Sequence, residues 1–205
     1  MTRVTTLFWD VGGVLGSNAW DREARAKAAA HYALDAASLE VKHRQHAADF
    51  ERGRLSLDDY LGAVVFHEPR PFSPDEFAGF MKRQSRPRPA TVDVARALAG
   101  AGRYLMATLN NESRELNEHR IARFGLRGIF SVFLSSCYLD ATKPGAEIFR
   151  RALQITHRAP DECLFIDDRA GNVDVARGLG MQAVQFRSVG QLRDDLRRMG
   201  ILRRL

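Results

Sequence analysis

Cysteine, lysine and long apolar runs are all scarce in this chain, and each scarcity excludes something. Only two cysteines occur in 205 residues. Cys137 and Cys163 each stand in apolar sequence, so no disulfide framework is indicated and a reducing, cytoplasmic setting is expected. No apolar stretch approaches the ~20 residues that cross a bilayer, so no membrane partner is expected. The short apolar run near the start leads directly into Asp10, which does not suit a secretory signal. Lysine stands at four positions only, Lys27, Lys42, Lys82 and Lys143, among 31 basic residues. Arginine is the default cation here, so a lysine marks a place that needs a compact point charge. The net charge of +6 does not by itself indicate nucleic acid, because basic and aromatic residues are not interleaved. The densest basic cluster, Arg197-Arg198 with Arg203-Arg204, reads as a solvated tail helix.

With 45% hydrophobic and 27% charged residues, the chain is expected to be ordered, with one full core and room for an inserted subdomain. Residues 4–9 form a short buried-strand pattern, which Gly12 and Gly13 end in a tight turn. Asp10 is then either a turn aspartate capping the strand exit or a carboxylate placed where open α/β sheets bind ligands. This segment alone leaves both open.

Residues 16–89 carry helical patterns over 21–32, 38–51 and 57–66, with Ser56 as a cap. A further helix opens at Ser73-Pro74-Asp75-Glu76. Arg86-Pro87-Arg88-Pro89 breaks the pattern and marks a boundary. Beyond it, strand candidates at 104–109, 129–134, 163–166 and 183–186 alternate with helices. That alternation predicts an α/β fold, a Rossmann-like parallel sheet with helices on both faces. Residues 1–15 and 90–205 would form this core, and residues 16–89 a helical insertion.

Four polar clusters fall at the carboxyl ends of predicted strands: Asp10, Asn110-Asn111, Lys143 before Pro144, and Asp167-Asp168 with Asn172. In a parallel sheet these ends share one edge. Several carboxylates in one site repel and resist ionising, a penalty that a hard divalent cation removes. A lysine beside a nucleophilic carboxylate would lower its pKa and hold a phosphoryl oxygen.

The strings FWDVGGVL, TLNNES, TKPGAEIF and LFIDDRAGNVDVARGLGM resemble, in order, the four motifs of the haloacid dehalogenase-like hydrolase superfamily. The position of the insertion is similar to that of the family's helical cap. The resemblance implies that Asp10 attacks phosphorus to form an aspartyl-phosphate. It implies magnesium held by Asp10, the Gly12 carbonyl and Asp168, with Asp167 and Asn172 behind the ligands or acting through water. It places Asn110 where the family binds phosphate through Ser or Thr, with Asn111 following, and it makes Lys143 the motif lysine. Asp168 rather than Asp167 takes the ligand position because Asn172 lies four residues after it.

Two departures stand out. Family phosphatases usually carry a second aspartate two residues after the nucleophile, as general acid, and here that residue is Gly12. General acid catalysis is typically worth ~10²–10⁴ in rate. The phosphate-binding Ser or Thr is replaced by Asn110, which can still donate.

The expected function is a magnesium-dependent phosphatase of a small phosphorylated metabolite, acting as a monomer or homodimer. One alternative is a metal-free 2-haloacid dehalogenase, which Gly12 permits but the Asp167-Asp168 pair does not resemble. The other is a phosphate-binding or interaction protein that has lost turnover. Further pocket candidates are Trp20, Asp21 and Arg22, against ordinary helix-start chemistry, and Glu51 and Arg52, which would reach either substrate or the core. His43 and His46, one helical turn apart, are a metal pair or simply an exposed helix face. Ser135-Ser136-Cys137 reads as scaffolding of the site.

Overall fold

β1 (Thr6–Trp9) is buried along its whole length and feeds two separate cores. Leu7 and Trp9 enter one and Phe8 the other, as the two-residue period of a strand requires. In this computed structural model, which describes residues 3–202, β1 is the middle of a five-stranded sheet ordered β3-β2-β1-β4-β5. The other strands are β2 (Leu105–Asn110), β3 (Val132–Ser135), β4 (Cys163–Asp167) and β5 (Gln182–Gln185). All four pairings are parallel. The register sets Trp9 beside both Thr108 and Ile166. The residues just beyond these positions therefore emerge at one edge, where the strand order switches direction.

Helices cover both faces. α5 (Pro89–Gly100) and α10 (Val189–Arg198) put Val92, Ala95, Leu98, Leu192 and Leu196 into the core that holds Trp9. On the other face α8 (Ala146–Thr156) and α9 (Ala170–Gly178) put Ile148, Phe149, Ala152 and Ala176 against Phe8 and Phe165. Each large apolar side chain buried in this way contributes ~1.5–3 kcal/mol. α6 (Arg114–Arg123) follows β2, and α7 (Ser136–Leu139) follows β3.

Between β1 and α5 come α1 (Arg22–His31), α2 (Ala36–Glu51), α3 (Leu57–Val64) and α4 (Pro74–Arg83). They pack around a third cluster of their own, centred on Trp20, Phe50, Tyr60, Phe77 and Met81 and joined by Leu116 of α6. Ser56 and Ser73 both close capping boxes, with Asp59 and Glu76 respectively. The chain leaves the sheet and returns to it side by side: Ser17 N donates to the Arg86 carbonyl at 2.9 Å, and Arg88 N to the Leu15 carbonyl at 2.8 Å.

The structure differs from sequence expectation in places. The third strand runs over Val132–Ser135, because Ile129 and Phe130 plug the core instead of pairing. α5 begins at Pro89, inside the run expected as a boundary, and this proline supplies the fixed φ of a first helical position. Ser136 and Cys137, expected as scaffolding of the site, begin the short helix α7. Arg197 and Arg198 occupy the last turn of α10, whereas Arg203 and Arg204 lie outside the described residues. No helix among the described residues is long and apolar enough to cross a membrane.

Gly16 tests the crossing. A methyl group there would lie 2.5 Å from the Phe124 ring and 2.8 Å from the Arg86 carbonyl, whereas on Gly62 it would meet nothing within 4 Å. Gly16→Ala is expected to lose ~1–3 kcal/mol by overpacking. Gly62→Ala, in a helix, is expected to gain ~0.5–1 kcal/mol. Urea denaturation of the two variants measures both values.

Candidate active site

Asp10 follows β1 and is only 7% exposed. Its Oδ1 accepts from its neighbour's backbone, Val11 N, at 2.8 Å and faces Lys143 Nζ at 3.0 Å. Lys143 also reaches Asp167 Oδ2 at 2.6 Å and the Leu109 carbonyl at 2.8 Å. An ammonium has three donors, so these three acceptors saturate it. The buried lysine thereby ties together the ends of β1, β2 and β4.

Asp167, the last residue of β4, is fully buried and fully engaged. Besides Lys143, its oxygens accept from Asn172 Nδ2 at 3.0 Å each and from Arg169 N at 2.8 Å. Asp168 is different: it is half-buried, and its Oδ1 has no partner among the described residues. One carboxylate oxygen from each of Asp10, Asp167 and Asp168 lies within 4.8 Å of the others. Gly13, at φ +74°, passes so close to Asp168 that a Cβ there would overlap its carboxylate at 2.0 Å. The turn after β1 therefore packs directly on the second acid.

Burial lifts the Asp10 carboxyl to about 6, against the pull of Lys143 and with help from Asp167 and Asp168. Burial also raises Asp168, with Asp167 adding to it. Three carboxylates at this edge face one buried ammonium, Lys143, with Arg169 also pulling on Asp168, and burial still raises Asp10 and Asp168. A cation would relieve that penalty, and the unpartnered oxygen of Asp168 is suited to meet one.

The asparagines are placed differently from each other. Asn111 clamps the Lys143 peptide, accepting from its N–H at 2.9 Å and donating to its carbonyl at 2.9 Å. Asn110 is buried, and its amide donates to Asn117 Oδ1 at 3.0 Å. Each amide thus spends one of its two N–H groups, Asn111 on the Lys143 carbonyl and Asn110 on α6.

A cavity of about 380 Å³ opens beside Asp10 and Lys143. Trp20, Asp21, Arg22, Arg25, His43, Phe50 and Glu51 line it from the helical segment, and Gly12, Asn111, Glu112, Arg120 and Arg169 from the sheet side. Arg52 is not among the lining residues. The His43 ring is engaged within the helical segment. Trp20 Nε1 donates to the Tyr60 hydroxyl at 2.9 Å, and that hydroxyl meets His43 Nδ1 at 2.8 Å. The hydroxyl accepts from Trp20, and its own O–H has an uncharged His43 imidazole within reach as an acceptor. Burial correspondingly lowers His43 to about 4. Ser136 acts as scaffolding, with its Oγ donating to the Glu51 carbonyl at 2.6 Å and accepting from Glu112 N at 3.0 Å.

Sequence reasoning missed Glu112, Arg120, Arg25 and Arg169. Arg120 is 1% exposed and pairs with Glu112 at 2.9 Å. Their eight-residue spacing on either side of the α6 start gives no local signal of pairing, because the contact forms only when α6 docks.

A sequence model described as haloacid dehalogenase-like hydrolase matches residues 4–180. Over 61 residues the chain is 34% identical to D-ribitol-5-phosphate phosphatase of Bacteroides thetaiotaomicron, which covers 30% of each protein. The match thus spans less than a third of that relative's length. Among solved structures, the chain is similar to a HAD family enzyme of Bacteroides thetaiotaomicron in complex with magnesium and inorganic phosphate. That likeness has a TM-score of 0.74 and 18% identity, over 90% of this chain and 94% of the other. An L-2-haloacid dehalogenase is also similar, at TM-score 0.64 and 18% identity over 90% and 86%. At these identities the structural likeness establishes the fold.

The raised carboxyl of Asp10 has a measurable sign. Folding lifts it from 3.8 to about 6. Its favourable contribution is therefore fully present below about pH 4 and is lost as pH rises through about 6. Asp10→Asn mimics the protonated form. In chelator it should exceed wild type in stability by roughly 2–3 kcal/mol at about pH 8, with the gap closing toward about pH 4. His43, lowered to about 4, loses its contribution as pH falls through the same window. It does so in both proteins, so the difference between them isolates Asp10. Urea denaturation across this pH range measures that difference, and a wild type as stable as Asp10→Asn at about pH 8 would contradict the charge balance described.

Proposed function

Because the chain belongs to the haloacid dehalogenase-like hydrolases, we propose that it is a magnesium-dependent phosphatase of small phosphorylated metabolites, working through an aspartyl-phosphate on Asp10. The observation that carries this reading is the division of labour among the acids. Asp167 is saturated by Lys143, Asn172 and Arg169 N, while Asp168 keeps an oxygen without a partner close to Asp10. Such a donor set suits a hard divalent cation. Asp10, Asp168 and the Gly12 carbonyl would hold it, with Asp167 and Asn172 fixing the frame behind them. When bound, magnesium would neutralise charge on the phosphoryl oxygens.

The protein's own groups supply the rest. With a value of about 6, Asp10 is mostly ionised at neutral pH and fit to attack phosphorus. Lys143 holds it in place and balances part of the charge that collects there. Asn111 fixes Lys143 through both sides of its peptide, so its part in phosphate binding is indirect. Asn110 stands one residue earlier at the same strand end, where rotation of its amide from Asn117 would offer a donor. We read residues 16–89 as a cap, because Trp20, Arg22, Arg25, His43 and Glu51 line the same cavity as Asp10. A cavity of about 380 Å³ lined by several arginines suits a small anionic substrate, and neither nucleic acid nor membrane is part of this reading. The phosphatase activity of the partial relative and the magnesium and phosphate of the structural neighbour support it.

A metal-free 2-haloacid dehalogenase is the second reading. Gly12 favours it, since that residue cannot serve a leaving group as an acid. p-Nitrophenyl phosphate and a 2-haloacid separate the two. We expect magnesium-dependent phosphate release that falls to background in chelator and in Asp10→Asn. Asn172→Ala should lower activity or magnesium affinity by roughly 10- to 100-fold. Halide release in chelator, or phosphatase turnover surviving in Asp10→Asn, would overturn the proposal.

A further inference from the structure

The cavity lacks an acid at Gly12 and has an uncommitted one from α2 among its lining residues. A Cβ on Gly12 would point at Asn18 Oδ1, 3.2 Å away, and at Arg120 Nη1, 3.8 Å away. The space an acid would occupy there is therefore bounded by an amide and a guanidinium. Arg120 is itself committed to Glu112 Oε2 at 2.9 Å and to the Ser17 carbonyl. Glu112 accepts from Ser113 N with its other oxygen, at 3.1 Å. Of the two glutamates that line the cavity, Glu112 is thus locked into the wall.

Glu51 is free. No hydrogen bond or ion pair reaches its carboxyl among the described residues. Its backbone, by contrast, is fixed to the sheet side. Ser136 Oγ donates to the Glu51 carbonyl at 2.6 Å, and Arg54 pairs with Asp140 at 2.8 Å. Gly53, at φ +72°, lies so close to α7 that a Cβ would come within 2.6 Å of the Cys137 carbonyl. The end of α2 is therefore stapled to α7, and it presents Glu51 to the same cavity as Asp10 and Lys143.

We propose that Glu51 is the general acid–base residue of this site, standing in for the carboxylate that Gly12 lacks; the inference rests on the phosphatase reading above. In the first step an Asp10 oxygen bonds to phosphorus while the ester P–O bond breaks. The Glu51 proton passes to the departing oxygen, which leaves as an alcohol. In the second step a water oxygen bonds to phosphorus, the bond to Asp10 breaks, and the water's proton returns to Glu51. Burial, and then Glu112 nearby, raise the Glu51 carboxyl above its ordinary value, while Arg169 and Arg25 pull it down. A raised value favours the acid form needed for the first step. These groups face Glu51 from α1, from the loop after β2 and from the loop after β4.

The test compares wild type and Glu51→Gln, with magnesium, over phosphate monoesters running from nitrophenyl to simple alkyl leaving groups. The deficit in kcat/KM should grow with leaving-group pKa and reach ~10²-fold or more for alkyl esters. Glu51→Asp should recover part of it. A deficit equal across the series, or none on alkyl esters, overturns the assignment and leaves the phosphatase reading intact. Absence of magnesium-dependent turnover of any ester by the wild type overturns that reading and this inference together. The wild type alone gives a second readout that does not depend on how the variant folds. Its kcat/KM on an alkyl ester should fall at high pH relative to a nitrophenyl ester, and parallel profiles for the two overturn the assignment.

Discussion

One buried ammonium group governs this site. Lys143 divides its three donors among Asp10, Asp167 and the Leu109 carbonyl, and so binds three strand ends into one charged edge. The other contacts follow from the need to hold that lysine and balance it. Asn111 clamps its peptide, and Asn172 completes Asp167. What remains is the carboxylate charge on Asp10 and Asp168. Burial raises both carboxyls, and a site that stores charge in this way is suited to receive a cation and then a phosphoryl group. The fold itself does not require these acids, since apolar residues at the same edge would pack without the desolvation cost.

Much of this was legible in the sequence. A buried strand ending in an aspartate and two glycines, followed by helices and then by alternating strands, predicts a parallel sheet whose polar strand ends meet. Lys143, one of only four lysines, stands among the polar strand ends in the sequence pattern, and the serine–proline–acid run at residues 73–76 marks the start of α4. The commitments of individual side chains were not legible. Nothing local shows that Asn110 turns to Asn117, that Asn111 holds the Lys143 peptide, or that Arg120 meets Glu112. Those pairings depend on how α6 docks and on a register that only the assembled sheet defines. The third strand starts later than its apolar pattern for a related reason: Ile129 and Phe130 are apolar enough for a strand but fill the core from a loop.

Gly12 shows how a single position redistributes chemistry across the site. Its small size leaves room for Asn18 and Arg120 close to the turn, and the Arg120–Glu112 pair then forms the wall behind it. On the proposed phosphatase reading an acid would come from the other side of the cavity, where the stapled end of α2 brings Glu51. Residues 16–89 would thus contribute to the reaction as well as to substrate selection.

The central claim is that Asp10 carries the phosphoryl group during turnover. Acid quenching of the magnesium-loaded protein while it hydrolyses p-nitrophenyl phosphate, followed by mass mapping of its peptides, tests this directly. The account predicts one phosphoryl group per labelled chain, located on the peptide at Asp10. Turnover with no covalent phosphate trapped, or with phosphate on another residue, would contradict it.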